Sequence, residues 1–258
     1  MKQGILIVSF GTTYQETRKK NIERIVNTVQ DRFKEQKVYQ AYSSNTVRRI
    51  LRERDNILIP DAKEALLQMK EDGITHVTVL PTHIIDGIEN NKVKQIIQDF
   101  SALFLDIRIA GVLLNKEEDY FLTSKALWEA IRERAGDAPV ILMGHGSTHE
   151  ADASYQRLEI ELRSYSKREI FIATVEGVVT IEAVLERLKA SSYKGKVLLL
   201  PFMLVAGDHA TNDMAGEEDS FASLLKSAGY EPECILKGIG EYEEIRNLYI
   251  RHLLEVMD

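Results

Sequence analysis

The chain has 258 residues, of which 44% are hydrophobic and 28% are charged, and its formal net charge is −7 at pH 7. This ordinary globular composition excludes a disordered or collagen-like chain, and the acidic balance argues against a nucleic-acid partner, because a polyanion is bound by a basic face. No run reaches the roughly 20 apolar residues that cross a bilayer, so a membrane partner is not expected either.

The compartment follows from two further features. The apolar run 4–10 is too short for the core of a signal peptide and is not followed by a small-residue cleavage site. The single cysteine, Cys234, cannot form an internal disulfide. We therefore expect a cytoplasmic protein and interpret the run 4–10 as a buried strand.

Short β-rich runs alternate with longer amphipathic stretches along the whole chain, which is typical of βα units around a parallel sheet. Most of the runs are continuously apolar, as expected for strands covered on both faces. The pattern predicts an α/β fold with doubly wound parallel sheets. The predicted strands lie near residues 4–10, 37–42, 76–83, 106–114, 139–145, 169–176, 196–205 and 233–239.

The helices between the strands are predicted from apolar spacing and from start and stop signals. Ile22, Ile25, Val29 and Phe33 recur at spacings of three and four and form one apolar stripe after the first strand. Pro60-Asp61 begins another helix that Gly73 ends, and a last helix covers 241–257.

The sequence also repeats itself with a period of about half the chain. The segment 9–13 resembles 144–148, and 77–81 resembles 197–201. A spacing of 120 residues separates Gly87 from Gly207 and Glu89 from His209. The repeat predicts two similar halves, 1–136 and 137–258, with the boundary near Gly136. A pseudo-twofold axis would direct the carboxyl ends of both sets of strands to a shared cleft, where open α/β sheets bind ligands.

Three predicted strand ends in the second half carry groups that can ligate a metal. They are His145, Glu176 and His209, and the first half has Phe10, Ser43 and Glu89 at the equivalent places. Two imidazoles and a carboxylate suit an intermediate divalent ion, and the absence of cysteine disfavours a closed structural zinc site. Spacing alone leaves hydrolases, phosphatases and metal carriers open, and each histidine by itself could simply bond a backbone group.

Other polar groups near the strand ends have two interpretations each. The hydroxyls of Ser9, Thr12, Thr13, Ser147 and Thr148 could donate to anionic groups at helix starts or could cap helices. The glycines at 11, 144 and 146 permit tight turns, but there is no dinucleotide fingerprint and no Walker lysine.

The basic residues and the remaining histidines are less informative. The cluster of Arg48, Arg49, Arg52 and Arg54 is either a solvated helix face or a docking site for carboxylates. His83 and His149 lie close in sequence to the strand ends, and their role stays open. No role is assigned to His76, which begins a strand, or to His252, which we place on the surface of the last helix.

At these residues the whole chain resembles the anaerobic sirohydrochlorin cobaltochelatases, the CbiK-type class II tetrapyrrole chelatases. The most specific stretch is 203–210, Met-Leu-Val-Ala-Gly-Asp-His-Ala, followed by Asn212-Asp213-Met214. The other stretches that carry the resemblance are 8–12, 83–87, 143–146 and 175–176.

The resemblance implies two flavodoxin-like or Rossmann-like halves that hold the tetrapyrrole between them. It implies a metal set of His145, Glu176 and His209, with Glu89 as an assisting acidic residue. His145 and Glu89 are then the candidate catalytic residues. The residues expected to bind substrate are Ser9, Phe10, Gly11, Thr12, Ser44 and Ser147.

The activity implied is an ATP-independent lyase reaction that inserts Co²⁺ into sirohydrochlorin during anaerobic cobalamin biosynthesis. Its partners are the tetrapyrrole and the divalent metal, which is a substrate, so no cofactor is expected beyond Co²⁺, with Fe²⁺ or Ni²⁺ as substitutes in vitro. A homo-oligomer is left open. The alternatives are a ferrochelatase-type enzyme that makes sirohaem or another iron tetrapyrrole, and a carrier of tetrapyrrole or metal without turnover.

Overall fold

The computed structural model describes residues 2–257. Its strands are β1 Gln3–Ser9, β2 Lys37–Tyr42, β3 His76–Pro81, β4 Asp106–Ile109, β5 Val140–Gly144, β6 Ile170–Thr174, β7 Lys196–Pro201 and β8 Glu231–Cys234. Its α-helices are α1 Gln15–Lys20, α2 Ile22–Arg32, α3 Asn45–Asp55, α4 Ala62–Glu71, α5 Ile88–Phe100, α6 Glu117–Ala135, α7 Ala153–Ser166, α8 Ile181–Ala190, α9 Phe221–Ser227 and α10 Glu243–Met257.

The strands form two separate sheets of four with the same topology. One sheet has the order β2-β1-β3-β4 and the other the order β6-β5-β7-β8, and every pairing is parallel. In each sheet the chain adds its second strand on one side of the first strand and its third strand on the other side. The position between the first and third strands, β1 and β3 or β5 and β7, is the topological switch point where open α/β sheets bind ligands. The predicted α/β fold with two doubly wound parallel sheets is confirmed.

The helices follow the signals read from the sequence. The apolar stripe of α2 is buried through Ile22, Ile25 and Val29. Asp61 caps α4 by accepting a hydrogen bond from the backbone of Glu64, whose side chain accepts one from the Asp61 backbone in return. Gly73, with φ of +76°, follows α4 in the left-handed region that glycine tolerates.

The strands β4, β7 and β8 differ most from their predicted limits, and β7 ends at Pro201 although 196–205 was predicted. β4 ends at Ile109, although the apolar run continues to 114, because it pairs with β3 only from His76 to Val79. The rest of the run is buried as loop, and Leu113 and Leu114 donate backbone hydrogen bonds to the carbonyls of His83 and Ile84. Apolar runs thus overestimate strand length where burial continues without a pairing partner.

Backbone contacts divide the chain into two compact units. Unit 1 comprises the residues up to Asn115 together with those from Ile245 onward, and unit 2 is Lys116–Glu244. The core of unit 1 is built around Leu6, Val8 and Val79, and that of unit 2 around Ile141, Met143 and Leu199.

The unit boundaries differ from the boundary predicted near Gly136, because the helices that follow β4 and β8 are exchanged. In unit 2, α6 packs on α7, where the Tyr120 hydroxyl donates to Ser154 at 3.0 Å and the ring of Phe121 meets Tyr165 edge to face at 5.7 Å. In unit 1, the Tyr249 hydroxyl of α10 donates to the carbonyl of Thr82 at 3.0 Å.

The exchange also corrects the placement of His252. This residue was predicted on the surface of the last helix, but only 1% of it is exposed, and its Nδ1 lies 3.3 Å from the carbonyl oxygen of Gly111. The prediction was wrong because His252 follows Ile245 and Leu248 at helical spacing and so lies on the buried face of α10, where it meets the loop after β4. Within residues 2–257, no helix is both long enough and apolar enough to span a bilayer.

Candidate functional site

The loops after the first two strands of each sheet match through their backbone hydrogen bonds. In unit 2, the amides of Val175 and Glu176 donate to the carbonyls of Gly144 and His145 at 3.1 and 2.8 Å. In unit 1, the amides of Ser43 and Ser44 donate to the carbonyls of Ser9 and Phe10 at 2.9 and 3.2 Å. Phe10 is therefore the counterpart of His145, as predicted, whereas the counterpart of Glu176 is Ser44 and not Ser43. The equivalence predicted from the sequence was one residue out of register.

The third strand end keeps the predicted spacing of 120 residues. The carbonyls of His83 and Ile84 accept from the amides of Leu113 and Leu114, and those of Met203 and Leu204 accept from the amides of Ile239 and Gly240. Gly87 and Gly207 each accept a hydrogen bond from the amide four residues later. His83, whose two ring nitrogens are buried, thus occupies the place that Met203 has in unit 2.

Within unit 2, the two predicted metal-binding histidines come together. The ring centroids of His145 and His209 lie 4.8 Å apart, and the rings are nearly perpendicular at 89°. His145 follows β5, and His209 immediately precedes the π-helix Ala210–Met214, a rare element that recurs at functional sites. The fold therefore brings together two residues, His145 and His209, that are 64 positions apart in the sequence.

In both imidazoles, Nδ1 lies within hydrogen-bond distance of an oxygen atom. Nδ1 of His209 lies 2.8 Å from Oδ2 of Asp213, and Nδ1 of His145 lies 3.1 Å from the carbonyl oxygen of Gly146. Because a carbonyl or carboxylate oxygen accepts a hydrogen bond, the neutral form of each imidazole carries its proton on Nδ1 and has its lone pair on Nε2. An oxygen acceptor behind Nδ1 is how proteins orient imidazoles that ligate metals.

Glu176 lies beside this pair but does not close a cage with it. Its Oε2 is 3.9 Å from Nδ1 of His145, and its side chain is 61% exposed. Within residues 2–257, no three His, Cys, Asp or Glu side chains are already arranged to hold a metal ion. The site in unit 2 is thus an open histidine pair with an exposed carboxylate next to it, and its assignment as the metal set stays a prediction.

Glu89 belongs to unit 1, on the first turn of α5. Its Oε1 lies 2.5 Å from Nζ of Lys92, and its side chain is 35% exposed. The carboxylate is therefore accessible, and its role as a proton acceptor stays a prediction.

The predicted substrate-binding residues divide into buried and exposed ones. Ser9 is fully buried and accepts a hydrogen bond from the Thr82 hydroxyl at 2.9 Å, and Gly11, with φ of +100°, packs on the ring of Tyr42. Phe10 is 47% exposed and projects an apolar surface next to them.

Three predicted hydroxyls serve the local backbone. Thr12 accepts from the Tyr14 amide, Ser44 caps α3 by accepting from the Val47 amide, and Ser147 accepts from the His149 amide. His149 in turn caps a short 3₁₀ turn through Nδ1. The capping interpretation therefore describes Ser44, whereas Thr12 and Ser147 bond amides within their own loops.

The arginine cluster on α3 has two structural members and two free ones. Arg48 binds Asp61 and Glu64, and Arg54 binds Asp55 and the carbonyl of Thr13. Arg49 and Arg52 are exposed and make no ion pair with residues 2–257. Only these two are available to an external carboxylate.

Two carboxylates at the site were not predicted. Asp213 lies four residues after His209 on the same helical turn, a spacing at which side chains meet, so the sequence did contain a signal for it. Asp152 accepts hydrogen bonds from backbone amides in the loops that follow β5 and β6, and no local spacing in the sequence indicates this role.

Comparison with known proteins agrees with this architecture. The cobalt chelatase (CbiK) family model matches residues 3–258. A sirohydrochlorin cobaltochelatase of Salmonella typhimurium is 32% identical over all of this chain and 97% of its own length. A second, named sirohydrochlorin cobaltochelatase CbiKC, from Nitratidesulfovibrio vulgaris, is 31% identical over 98% of this chain and 89% of its own.

Solved structures support the fold. SirB from Bacillus subtilis with Fe³⁺ matches with a TM-score of 0.69 at 14% identity, over 99% of this chain and 95% of that one. CbiX, described as the terminal enzyme of sirohaem biosynthesis in denitrifying bacteria, matches with a TM-score of 0.59 at 14% identity, over 98% of both chains.

The repeated parallel sheets and the open imidazole pair define the protein as an α/β metal chelatase. More narrowly, the chain belongs to the cobalt chelatase (CbiK) family, as the match over nearly its full length shows. The resemblance inferred from the sequence is confirmed.

Proposed function

We propose that this protein is a sirohydrochlorin cobaltochelatase, which inserts Co²⁺ into sirohydrochlorin during anaerobic cobalamin biosynthesis without ATP. The observation that carries the proposal is the pair of His145 and His209, with rings 4.8 Å apart and with each Nδ1 held by an oxygen. The family match and both cobaltochelatase relatives support it.

The reaction needs a site that holds a metal weakly and releases it. Co²⁺ must exchange its ligands for four ring nitrogens, while two pyrrole N–H protons leave. The two Nε2 atoms supply neutral donors suited to Co²⁺, and the exposed carboxylate of Glu176 supplies a third ligand by rotating on its loop. Three protein ligands leave coordination positions open for the incoming nitrogens.

A base must accept the two pyrrole protons. In the proposal Glu89 or His145 takes this role, since a carboxylate and a neutral imidazole can both accept a proton at neutral pH. The products are then the cobalt tetrapyrrole and two protons, so no oxidant, reductant or nucleotide enters the balance.

The substrate is polyanionic, whereas the chain carries a net charge of −7. The proposal assigns the substrate carboxylates to exposed cations, for which Arg49 and Arg52 on α3 are the free candidates. The exposed ring of Phe10 offers an apolar contact for the macrocycle.

The test is an anaerobic assay of sirohydrochlorin with Co²⁺ and, in parallel, with Fe²⁺, followed by the visible spectrum. We expect His145→Ala and His209→Ala each to lower kcat/KM for Co²⁺ by about 10² or more, since each removes a donor that also orders the site. His76→Ala is the matched control, because His76 begins β3 and its imidazole bonds the side chain of its neighbour Thr75.

Wild-type rates in both site variants would refute the proposed mechanism. Stoichiometric binding of ring and metal, with insertion no faster than the spontaneous rate, would instead identify a carrier. A higher kcat/KM for Fe²⁺ than for Co²⁺ would reassign the metal while leaving the site in place.

A further inference from the structure

Two loops of unit 2 carry the proposed metal-binding side chains. The His145 loop, residues 145–152, follows β5, and the Glu176 loop, residues 175–179, follows β6. The loops begin in contact, since the amide of Glu176 donates to the carbonyl of His145 at 2.8 Å. Beyond that bond, something must hold them together, because loops at strand ends have no sheet pairing of their own.

Asp152 makes the second connection. Its Oδ1 accepts the amide proton of Ser147 at 3.0 Å, within the His145 loop, and its Oδ2 accepts that of Val178 at 2.9 Å, within the Glu176 loop. One carboxylate therefore binds one backbone amide in each loop, and each loop has a ligand residue two positions before the bonded amide.

The packing around this carboxylate is close. Only 4% of Asp152 is exposed, and it forms no ion pair among residues 2–257. A Cβ added at Gly177 would lie 2.4 Å from Oδ1 of Asp152, and one added at Gly146 would lie 2.2 Å from the amide nitrogen of Gly177. A buried carboxyl group without a cation depends on its hydrogen bonds, so both amides are needed.

Helix capping does not explain this arrangement. Asp152 occupies the N-cap position of α7, the usual place for an aspartate that bonds the first helical amides. Its side chain nevertheless makes no capping hydrogen bond and turns to the two loops instead. Asp152 is itself helical, with φ of −57° and ψ of −28°, because it is the last residue of the 3₁₀ turn Glu150–Asp152 that leads into α7. Its carboxylate is therefore available to the loops.

We propose that Asp152 is a positioning residue for metal capture, which sets the distance between His145 and Glu176 by joining their loops. This inference rests on the proposed function of those two side chains. Asp152 does not touch the metal or the tetrapyrrole, so it acts only through the loops.

The same helix supplies a matched control. Glu159 of α7 is also buried, at 7% exposure, and also accepts a backbone amide, that of Ile172 at 2.8 Å. Ile172 lies in the middle of β6, away from the loop, and Glu159 pairs with Arg187. Glu159→Gln therefore perturbs a buried carboxylate of unit 2 without releasing either loop.

The experiment compares Asp152→Asn with Glu159→Gln in the full chain. Asparagine keeps the shape but places an NH₂ group against one of the two amide donors, so one connection is lost. We expect Asp152→Asn to raise KM for Co²⁺ by about 10- to 100-fold, as loss of a supporting group does at metal sites, with KM for sirohydrochlorin unchanged. Titration with Co²⁺ alone, followed by its visible absorption, should show the same weakening.

Urea unfolding of both variants separates positioning from stability. The inference is supported if Glu159→Gln loses as much stability as Asp152→Asn and keeps the wild-type KM for Co²⁺. It is overturned if Asp152→Asn keeps the wild-type Co²⁺ affinity, or if both KM values rise together. His145→Ala runs alongside: when it abolishes Co²⁺ binding and Asp152→Asn binds Co²⁺ with the wild-type affinity, only the inference fails, whereas wild-type binding in both overturns the proposed function as well.

Discussion

His83 stands out among the single residues of unit 1. Both of its ring nitrogens are buried and have no hydrogen-bond partner within residues 2–257, where the repeat has the apolar Met203. Burial lowers the pKa of His83 from the ordinary value of 6.5 to about 4, and the carboxylates of Glu89 and Asp86 oppose the shift only in part. The imidazole is therefore neutral in the folded protein at neutral pH.

This lowered pKa predicts a pH dependence of stability. Between about pH 6.5 and pH 4, the unfolded chain binds a proton at His83 and the folded one does not, so the free energy of unfolding falls as the pH falls. His83→Met introduces the residue type that unit 2 has at the equivalent position, Met203. It should remove the pH-dependent part of the free energy of unfolding that comes from His83, of the order of 3 kcal/mol at about 1.4 kcal/mol per pKa unit. Urea unfolding at a series of pH values measures it, and an unchanged slope in the variant would contradict the assignment.

At the scale of elements, the turn after β5 is the most constrained part of the site. Gly146 has φ of +83°, and its missing side chain lets the backbone of Gly177 approach. Gly11 holds the same place in unit 1 with φ of +100°, but there the neighbour is the ring of Tyr42. The turn is thus common to both units, and in unit 2 it brings together the two loops that carry the proposed ligands His145 and Glu176.

Gly146→Ala should therefore lower the free energy of unfolding by more than backbone strain alone would. Gly229, also in unit 2, has a similar φ of +87° and nothing within 4 Å of an added Cβ, so Gly229→Ala measures the strain by itself, about 1 kcal/mol. We expect Gly146→Ala to lose clearly more stability than this and most of its Co²⁺ insertion, because the clash involves backbone. Equal losses in the two variants, measured by unfolding and by the assay, would show that the close approach has no consequence.

Predictions for the elements held where the signals were local. The cap at Asp61 and the stripe of Ile22, Ile25 and Val29 lie within a few residues of one another, and both are confirmed. The ends of β4 and β8 were misplaced because a strand ends where its partner's hydrogen bonds end, and the partner is remote in sequence.

At the scale of the whole molecule, each unit includes a helix that lies outside the stretch of sequence containing the four strands of that unit. α10, the last helix, belongs to unit 1, and α6, which follows the strands of unit 1, belongs to unit 2. Unit 1 is therefore discontinuous in sequence, because α10 packs with strands that are more than 100 residues earlier in the chain.

Matched truncations test this exchange. Leu253 of α10 and Leu127 of α6 are both fully buried, and Leu→Ala at such sites costs about 2–5 kcal/mol. We expect Leu253→Ala to reduce amide hydrogen-exchange protection mainly in β1–β4 and Leu127→Ala mainly in β5–β8, since local openings follow packing units. The opposite pattern, with each variant weakening the sheet that precedes it in sequence, would show that the boundary lies near Gly136 instead.

The sequence by itself determined the α/β class, the repeat, most strand positions and the family, because these depend on apolar periodicity and on motifs within a few residues. It also named His145 and His209 as a pair, since carboxyl ends of parallel strands meet at one edge. Only the tertiary structure decided the exchanged helices, the burial of His252, the register that matches Glu176 with Ser44, and the bonds of Asp152 to two loops. The physical reason is that these features consist of packing and hydrogen bonds between segments far apart in the chain, which leave no periodic trace in the sequence.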